Sequence, residues 1–229
     1  MTDNVPRHIG YIVDGNRRWA KQHGIPTYEG HLAGYNAIIE VVLASIDAGV
    51  EVVSAYTFST ENWKRSESEV SRIMGLVLKL LTSDLHILQE NNIRLRVLGS
   101  KERLSSGIIK AIDEAEAKTA GNIRGTLAVC FNYGGQLEVV EACKKIVQSG
   151  VPSEQVTAEL VSENLYAPDI PPIDMIVRTS GEHRLSNFML WRAAYSEFLF
   201  LEKLWPDMTK DDVTAILEEY SRRDRRIGG

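Results

Sequence analysis

Three polar segments of the chain carry residue types that could bind two anions and a metal ion. Their sequences are DGNRR at 14–18, STENWKR at 59–65 and RTSGEHRLS at 178–186. Guanidinium groups form paired hydrogen bonds with phosphate oxygens, and a carboxylate such as that of Asp14 binds divalent cations. The two arginines and the serines of the third segment fit a diphosphate better than a neutral molecule. These residues predict metal-assisted chemistry on phosphorylated substrates.

Two of these segments also have an ordinary structural interpretation. Residues 14–18 could form a strand–turn–helix connection whose two arginines are simply solvated. Arg178 and Arg184 could form structural salt bridges with Glu182 or Glu197. The sequence alone leaves both interpretations open.

Apolar runs and helical patterns alternate in an order that should bring the three segments together. The runs 9–13, 50–58 and 173–177 are predicted strands, and each ends where a polar segment begins. Parallel strands place their carboxyl ends at one edge of the sheet, where open α/β sheets bind ligands. We therefore predict one doubly wound α/β domain over residues 1–229, with about six mainly parallel strands flanked by helices.

The remaining elements complete this pattern of alternating strands and helices. The other predicted strands are 93–98, 126–131 and 198–201. The predicted helices are 17–24, 30–48, 66–91, 105–118, one reaching 147, 158–165 and one capped by Thr209.

The predicted helix 66–91 has a broad apolar face. Ser66 and Glu69 have the spacing of a capping box at its start. Three residues widen its apolar stripe beyond one packing face: Leu76, Leu80 and Ile87. The helix could simply be buried in the core, or part of this face could line an apolar cleft or tunnel for a hydrocarbon.

Composition limits the classes of protein to consider. The chain has 229 residues and a net charge of -5 at pH 7, which argues against a nucleic-acid partner or an acidic membrane. Cys130 and Cys143 provide neither a disulfide framework nor a metal-ligand cluster. The first residues lack the pattern of a signal peptide, and no apolar run approaches the roughly 20 residues that span a bilayer. We therefore expect a cytoplasmic protein.

The motifs together resemble those of the cis-prenyltransferases, the undecaprenyl diphosphate synthase family. The run DGNRRW at 14–19, with Gly30 and His31, is similar to the signature of that family. Residues 59–65 resemble its second motif, and residues 178–188 resemble its isopentenyl diphosphate site. Further matching residues extend the resemblance over nearly the whole chain: Trp191, Tyr195-Ser196-Glu197, Trp205-Pro206 and 225–229.

The resemblance implies Mg²⁺-dependent condensation of isopentenyl diphosphate with an allylic diphosphate, which forms cis (Z) double bonds. It implies that Asp14 is a metal-linked carboxylate, that Glu197 supports Mg²⁺, and that Asn16 and Asn62 are catalytic with Asp14. The positions that match the allylic diphosphate site are Gly15, Arg17, Arg18, Trp19 and His31. The positions that match the isopentenyl diphosphate site are Arg178, Arg184 and Ser186. Trp63, Arg65 and Glu69 match a substrate-positioning loop and its junction with the next helix.

The resemblance also implies a partner and a class of product. Residues 226–228 resemble a tail motif that reaches a neighbouring subunit, which implies a homodimer. A lipid product allows peripheral contact with membranes. Residues 66–91 lack the insertion that long-chain members share, which favours a short- or medium-chain product. Thr57 and Gly125 are candidates for tuning its length.

The chain departs from the family pattern at Thr27, where many members have an arginine four residues before the histidine matched by His31. This change removes one positive charge from the allylic site. The acceptor of the proton stays open: Asn16 lacks a basic group, whereas His31 or a phosphate oxygen could accept it.

Two other functions remain open at this level. The first is a non-catalytic subunit of a heteromeric prenyltransferase. Such a subunit need not keep Asp14, Asn16 and Arg18, and this chain has all three. The second is another Mg²⁺-phosphate enzyme such as a phosphatase, which would not need an apolar helix beside its phosphate site.

Overall fold

The computed structural model describes residues 5–223, which contain six strands and eight α-helices. The strands are β1 (His8–Ile12), β2 (Val52–Ser59), β3 (Ile93–Leu98), β4 (Gly125–Tyr133), β5 (Met175–Arg178) and β6 (Glu197–Phe200). The helices are α1 (Asn16–Gln22), α2 (Thr27–Asp47), α3 (Glu67–Leu81), α4 (Leu85–Glu90), α5 (Ser106–Thr119), α6 (Gly135–Gln148), α7 (Ala158–Asn164) and α8 (Lys210–Ser221). None of these helices is long and apolar enough to cross a membrane.

All neighbouring strands of the sheet run parallel, in the order β3-β4-β2-β1-β5-β6. The order reverses at β1, because the chain moves from β1 to β2 on one side and later reaches β5 on the other. Open α/β sheets bind ligands in the crevice at such a point. Ile12 pairs with both Tyr56 and Arg178, so three strands end close together there. The predicted doubly wound sheet is confirmed.

The two faces of the sheet are covered by different parts of the chain. On one face, α2, α3, α5 and α8 pack against residues such as Ile9 and Tyr11. On the other face, residues between 166 and 193 pack against Ile12 and Tyr56. This division follows from strand geometry, because successive side chains point to opposite faces.

The single helix predicted over 66–91 is wrong, because the structure divides it into α3 and α4. Thr82, at the end of α3, has φ -125° and ψ -85°, outside the helical region. Its hydroxyl donates to the carbonyl oxygen of Leu78 at 2.7 Å, and the Ser83 hydroxyl donates to that of Lys79 at 3.3 Å. Such bonds compete with the amides that would continue the helix. The apolar periodicity is strong enough to conceal this break in the sequence.

His8 is fully buried on the second face of the sheet. Its Nδ1 lies 2.9 Å from the carbonyl oxygen of Pro171, and its Nε2 lies 2.7 Å from the Ser54 hydroxyl. The carbonyl can only accept, so Nδ1 carries the proton of the neutral ring and Ser54 donates to Nε2. Burial lowers the pKa of His8 to about 4, which the hydrogen bond to Pro171 only partly opposes.

We expect the free energy of unfolding to fall by about 2 kcal/mol between neutral pH and about pH 5, because His8 takes up a proton more readily in the unfolded chain. Its folded pKa lies below the unfolded value of about 6.5. The contribution of His8 is therefore present above the unfolded pKa and is lost as the pH falls toward the folded one. Urea unfolding of wild type and His8→Gln at both pH values measures this effect. The exposed His86→Gln is the control, and an unchanged pH dependence in His8→Gln would contradict the prediction.

A buried ion pair joins α6 to the segments that flank β5. Arg192 Nη1 donates to Glu138 Oε1 at 2.6 Å, and both side chains are almost fully buried. The Tyr133 hydroxyl contacts Glu138 Oε2. Arg192 Nη2 donates to the carbonyl oxygens of Tyr166 and Ala167 at 2.6 and 3.1 Å. The two opposite charges therefore compensate each other in the interior.

Candidate active site

Asp14 lies in the turn between β1 and α1, at the crevice of the sheet. Gly15 follows with φ 115°, a left-handed conformation that glycine adopts without strain. The Asp14 amide donates to Thr179 Oγ1 at 3.2 Å, and the Asp14 carbonyl accepts from the Thr179 hydroxyl at 2.7 Å and the Trp205 amide at 3.0 Å. Distant segments therefore fix the backbone of Asp14. Its carboxylate, 31% exposed, remains accessible in the cavity wall.

Arg178 ends β5, and its side chain is only 4% exposed. Its Nη2 donates to Asp14 Oδ2 at 2.9 Å. Its Nη1 donates to Ser186 Oγ at 2.7 Å and contacts the carbonyl oxygen of Arg184. The Nε is buried and has no hydrogen-bond partner among the described residues. Arg178 therefore connects the first polar segment to the third.

Arg17 and Arg18 begin α1 with side chains 65% and 46% exposed, and both line the cavity. Arg18 Nη1 donates to the carbonyl oxygen of Ser180 at 2.8 Å, and its Nη2 lies 3.7 Å from Asp14 Oδ1. Arg17 Nε lies 4.0 Å from Glu69 Oε1, a weak contact that leaves most of its guanidinium available to a ligand. The cavity therefore has accessible cations close to Asp14.

Glu182 lies between arginines of two segments. Its Oε1 is 3.5 Å from Arg18 Nη2, and its Oε2 contacts Arg184 Nη1. The structural salt bridge considered for Arg184 is therefore present, whereas Arg178 pairs with Asp14 instead.

Asn16 is held between α1 and α2 by two glycines. A Cβ at Gly30 would lie 2.2 Å from the Asn16 carbonyl oxygen, and one at Gly34 would lie 2.3 Å from Asn16 Oδ1. Real Cβ atoms do not approach other atoms this closely, so both positions need glycine for this packing. Asn16 lines the cavity, and its Oδ1 is buried without a hydrogen-bond partner among the described residues.

His31 and Arg65 share one acceptor, the carboxylate of Glu69. His31 Nε2 and Arg65 Nη1 lie 3.2 and 3.1 Å from Glu69 Oε1. Burial lowers the pKa of His31, and the hydrogen bond that its Nε2 donates to the Glu69 carboxylate only partly opposes this, so the ring is neutral at neutral pH. The capping box predicted with Ser66 is only half formed. Ser66 accepts from the Glu69 amide at 3.4 Å, while the Glu69 carboxylate contacts His31 and Arg65.

Thr60–Lys64 form a 3-10 helix within the segment 59–65, which the sequence predicts as a polar loop. Asn62 Oδ1 accepts from the Ser59 amide at 3.2 Å and closes a capping box, and Asn62 also lines the cavity. Trp63 points elsewhere, because its Nε1 donates to Asn132 Oδ1 at 2.7 Å and its ring packs behind the cavity wall. The segment therefore places the side-chain amide of Asn62 at the cavity and the indole of Trp63 against the core.

The cavity at the crevice has a volume of ≈ 1180 Å³. Its polar lining, called the mouth below, comes from all three segments and includes Asp14, Asn62 and Arg178, whereas Arg184 is not part of the lining. The apolar lining comes from α2, α3 and β4: Tyr35, Ile38, Ile73, Leu76, Val77, Leu80 and Val129. Of the two interpretations of the apolar helix, the structure therefore supports the one in which part of its face lines a cleft.

Glu197 lies at the amino-terminal end of its strand, whereas the cavity lies at the carboxyl ends of the strands. It is the first residue of β6 and pairs with Met175, whereas Arg178, at the cavity, pairs with Phe200. Its carboxylate accepts from Arg223 Nη1 at 2.9 Å. Within a single chain, Glu197 therefore does not lie next to Asp14. The tail motif at 226–228 lies outside the described residues.

Other residues named from the sequence are also placed outside the cavity lining. Trp19 Nε1 donates to Asp207 Oδ1 at 2.6 Å, which anchors α1 to a distant segment. Gly125 begins β4, where a Cβ would meet Ile46, and it is not among the residues that line the cavity, so its effect on product length stays a prediction. Thr57 does line the cavity.

Several cavity residues were missed in the sequence: Lys21, Tyr56, Glu61 and Asn187. Lys21 lies one turn after Arg17 on α1, a spacing that could have revealed it. It lines the same cavity as Thr27 and provides a cation where Thr27 provides none. Tyr56 belongs to a buried strand, and only the way the strand ends brings its ring to the cavity.

Comparisons with known proteins identify the family of the chain. Residues 12–228 match the prenyltransferase family model of the undecaprenyl diphosphate synthases. An isoprenyl transferase of Thermotoga maritima is 43% identical over 227 residues, which are 98% of this chain and 97% of that protein. The decaprenyl diphosphate synthase of Mycobacterium leprae is 43% identical over 228 residues, which are 98% of this chain and 77% of that protein.

A solved structure shares the fold. The lavandulyl diphosphate synthase of Lavandula x intermedia, crystallised in complex with dimethylallyl diphosphate, superposes with a TM-score of 0.94 at 30% identity. The match covers 99% of this chain and 100% of that chain. The family match over almost the whole chain, the identity to named transferases and the common fold confirm the resemblance seen in the motifs. The chain belongs to the undecaprenyl diphosphate synthase family and is a cis-prenyltransferase.

Proposed function

We propose that residues 1–229 form one cis-prenyltransferase domain that condenses isopentenyl diphosphate with an allylic diphosphate to form cis (Z) double bonds. The observation that carries this proposal is the Asp14–Arg178 ion pair, with arginines on both sides, at the mouth of an apolar cavity. A prenyl diphosphate has matching parts, an anionic head and a hydrocarbon chain. The relatives named isoprenyl transferase and decaprenyl diphosphate synthase support the same type of reaction.

We assign the allylic diphosphate to the α1 side of the mouth, at Gly15, Asn16, Arg17 and Arg18, with His31 nearby. The exposure of both arginines in the cavity supports this assignment. We assign isopentenyl diphosphate to the opposite side, at Arg178, Arg184 and Ser186. The Arg178–Ser186 hydrogen bond and the unpaired Arg178 Nε support that side. Trp19 and Trp63 would hold α1 and the 59–65 segment rather than touch substrate.

The residues at the mouth fit a Mg²⁺ ion held mainly by substrate. Asp14 Oδ2 accepts from Arg178, whereas Oδ1 has only the 3.7 Å contact with Arg18 Nη2, so Oδ1 is the oxygen that would bind a cation. Among residues 5–223 no three metal-ligating side chains cluster, so diphosphate oxygens would complete the coordination. When bound, Mg²⁺ would neutralise charge on the leaving diphosphate.

The residues of the chain can stabilise both charges that develop in the reaction. Breaking the allylic C–O bond places positive charge on carbon and negative charge on the diphosphate, which Arg17 and Arg18 stabilise. The apolar lining keeps water from the carbon. The double bond of isopentenyl diphosphate then attacks that carbon, and loss of a proton forms the new double bond. Neutral His31 and an oxygen of the leaving diphosphate are the two candidate acceptors.

Gly34→Ala is expected to lower kcat by about tenfold or more, because the new Cβ would displace Asn16 from its position beside the diphosphate. Steady-state kinetics of prenyl transfer measures this effect. Gly75→Ala is the matched control, because a Cβ there meets nothing within 4 Å on an exposed part of α3. Equal kinetics for both variants would contradict the role of Asn16.

We propose a homodimer in which a second copy covers β6. This strand is the edge of the sheet, Tyr195 just before it is 79% exposed, and Phe198 within it is 36% exposed. Uncovered edge strands pair readily with another chain. A role for Glu197 in holding Mg²⁺ would then belong to the cavity of the partner, because Glu197 lies outside its own. Light scattering that shows a monomer at working concentration would contradict this dimer.

We propose a short- to medium-chain product, released as a lipid that can contact membrane surfaces. The apolar part of the cavity, which also borders Thr57, supports a limited chain because the total volume of ≈ 1180 Å³ includes the polar mouth. Chromatography of the reaction product measures its length.

The test of the function is incubation of the purified protein with labelled isopentenyl diphosphate, Mg²⁺ and geranyl, farnesyl or geranylgeranyl diphosphate. We expect a labelled cis-prenyl product, lost on addition of a chelator and restored by excess Mg²⁺. If no starter gives a product, the chain is not an enzyme on its own. The alternative is then a non-catalytic or co-catalytic subunit of a heteromeric prenyltransferase.

A further inference from the structure

Asn187 connects three segments at the cavity. Its backbone carbonyl accepts from the Gly135 amide at 2.7 Å, and its side-chain Oδ1 accepts from the Gln136 amide at 2.8 Å. Its Nδ2 donates to Glu61 Oε1 at 3.2 Å. Asn187, the residue directly after the third polar segment, therefore holds both the start of α6 and the 3-10 helix of the second polar segment.

The backbone around Asn187 adopts conformations that most residues avoid. Ser186, Asn187 and Met189 have φ values of 49°, 65° and 38°. Asparagine tolerates the left-handed region better than other residues with a side chain. Such backbone persists only where its surroundings impose it. The bonds of Asn187 to α6 provide that constraint, together with the Tyr56 hydroxyl, which donates to the carbonyl oxygen of Ser186 at 3.2 Å.

This constraint acts directly on the neighbouring binding groups. Ser186 Oγ lies 2.7 Å from Arg178 Nη1, and that distance depends on the unusual backbone of Ser186. The side-chain amide of Asn187 also donates to Glu61. Glu61 belongs to the same 3-10 helix as Asn62, which lines the cavity.

We infer that Asn187 is a positioning residue that sets the subsite for isopentenyl diphosphate and couples it to the 59–65 segment through Glu61. The inference rests on the proposed function, which supplies the ligand. Asn187 holds Ser186 and Arg178 in place before substrate arrives, so its loss weakens the binding of isopentenyl diphosphate more than that of the allylic substrate.

The test measures binding of isopentenyl diphosphate by titration calorimetry, without an allylic substrate and hence without turnover. Asn187→Asp keeps the acceptor for Gln136 but cannot donate to Glu61. We expect affinity to fall by about tenfold or more. The melting temperature measures separately the repulsion between the carboxylate introduced at position 187 and Glu61, which the start of α6 partly offsets. Asn164→Asp, on α7 and outside the cavity lining, is the matched charge control.

A further substitution at Glu61 distinguishes the effect of the lost hydrogen bond on affinity from the effect of the added charge. In Asn187→Asp with Glu61→Gln, the new amide can donate to the new carboxylate and the total charge is unchanged, so we expect affinity to recover. Asn187→Ala with Glu61→Gln loses the same charge at position 61 but offers no acceptor, so we expect no recovery.

Three outcomes would overturn the inference. Equal recovery in both double variants would make the effect one of charge alone. Affinity within about twofold of wild type in Asn187→Asp would show that Ser186 needs no such support. Failure of the wild type itself to bind isopentenyl diphosphate would overturn the proposed function and this inference together.

Discussion

Asp14→Asn is expected to fold like the wild type and to lose about 100-fold or more in kcat, which corresponds to about 2.7 kcal/mol of transition-state stabilisation. The amide keeps the size of the carboxylate and can still present its oxygen to Arg178 Nη2, which lies 2.9 Å from Asp14 Oδ2. It removes the negative charge that a Mg²⁺ ion would need. Steady-state kinetics at saturating substrate, with circular dichroism to check the fold, measures the effect.

Asp14→Ala is a less specific test of the role of Asp14 than Asp14→Asn, because it also removes the partner of a buried arginine. Alanine would leave Arg178 Nη2 without a partner, and the Arg178 side chain is only 4% exposed. Turnover should fall by orders of magnitude in this variant too, but stability should fall with it. Asp113→Asn is the control, because Asp113 pairs with Lys101 on the surface. Near-normal turnover in Asp14→Asn would contradict the role given to Asp14.

Glu138→Ala is expected to lower the free energy of unfolding by about 3–5 kcal/mol, because it leaves the charge of Arg192 buried without its partner. The same carboxylate also bonds the Tyr133 hydroxyl and the Tyr166 amide, so the change leaves further polar groups unsatisfied. Urea unfolding followed by circular dichroism measures the loss.

A surface pair provides the comparison for Glu138. Glu114→Ala removes the exposed partner of Lys110, 3.7 Å away on α5, and should change stability by less than about 0.5 kcal/mol. Glu138→Ala combined with Arg192→Leu should lose less than the single variant, since no charge is then left unpaired. Equal losses for Glu138→Ala and Glu114→Ala would show that burial of the pair does not matter.

The sequence was sufficient to predict that the polar segments converge. Asp14 and Arg178 each follow a buried apolar run, and the parallel order of the strands alone brings such positions to one edge. Helical spacing likewise indicated which residues of α3 share an apolar face, although it left open whether that face is buried in the core or lines a cleft. Both predictions depend on local periodicity, which is present in one sequence.

The remaining features depend on contacts between distant segments. The salt bridge of Arg178 with Asp14 rather than with Glu182 or Glu197 follows from strand register, which the sequence does not encode locally. Register also separates Glu197 from the cavity. The inward turn of Trp63 depends on Asn132, a residue of another strand. Such details require the packed structure.

The position of Glu182 bears on selectivity. Because its carboxylate already neutralises Arg18 and Arg184, an incoming anion exchanges with it rather than meeting bare cations. The free energy gained on binding is then the difference between the interaction of the arginines with the incoming anion and their interaction with Glu182. A monophosphate gains little over a carboxylate in this exchange, whereas a diphosphate brings more charge and more oxygens. With the proposed diphosphate at these arginines, Glu182 would lower their mutual repulsion in the free protein and would compete with weaker anions for them.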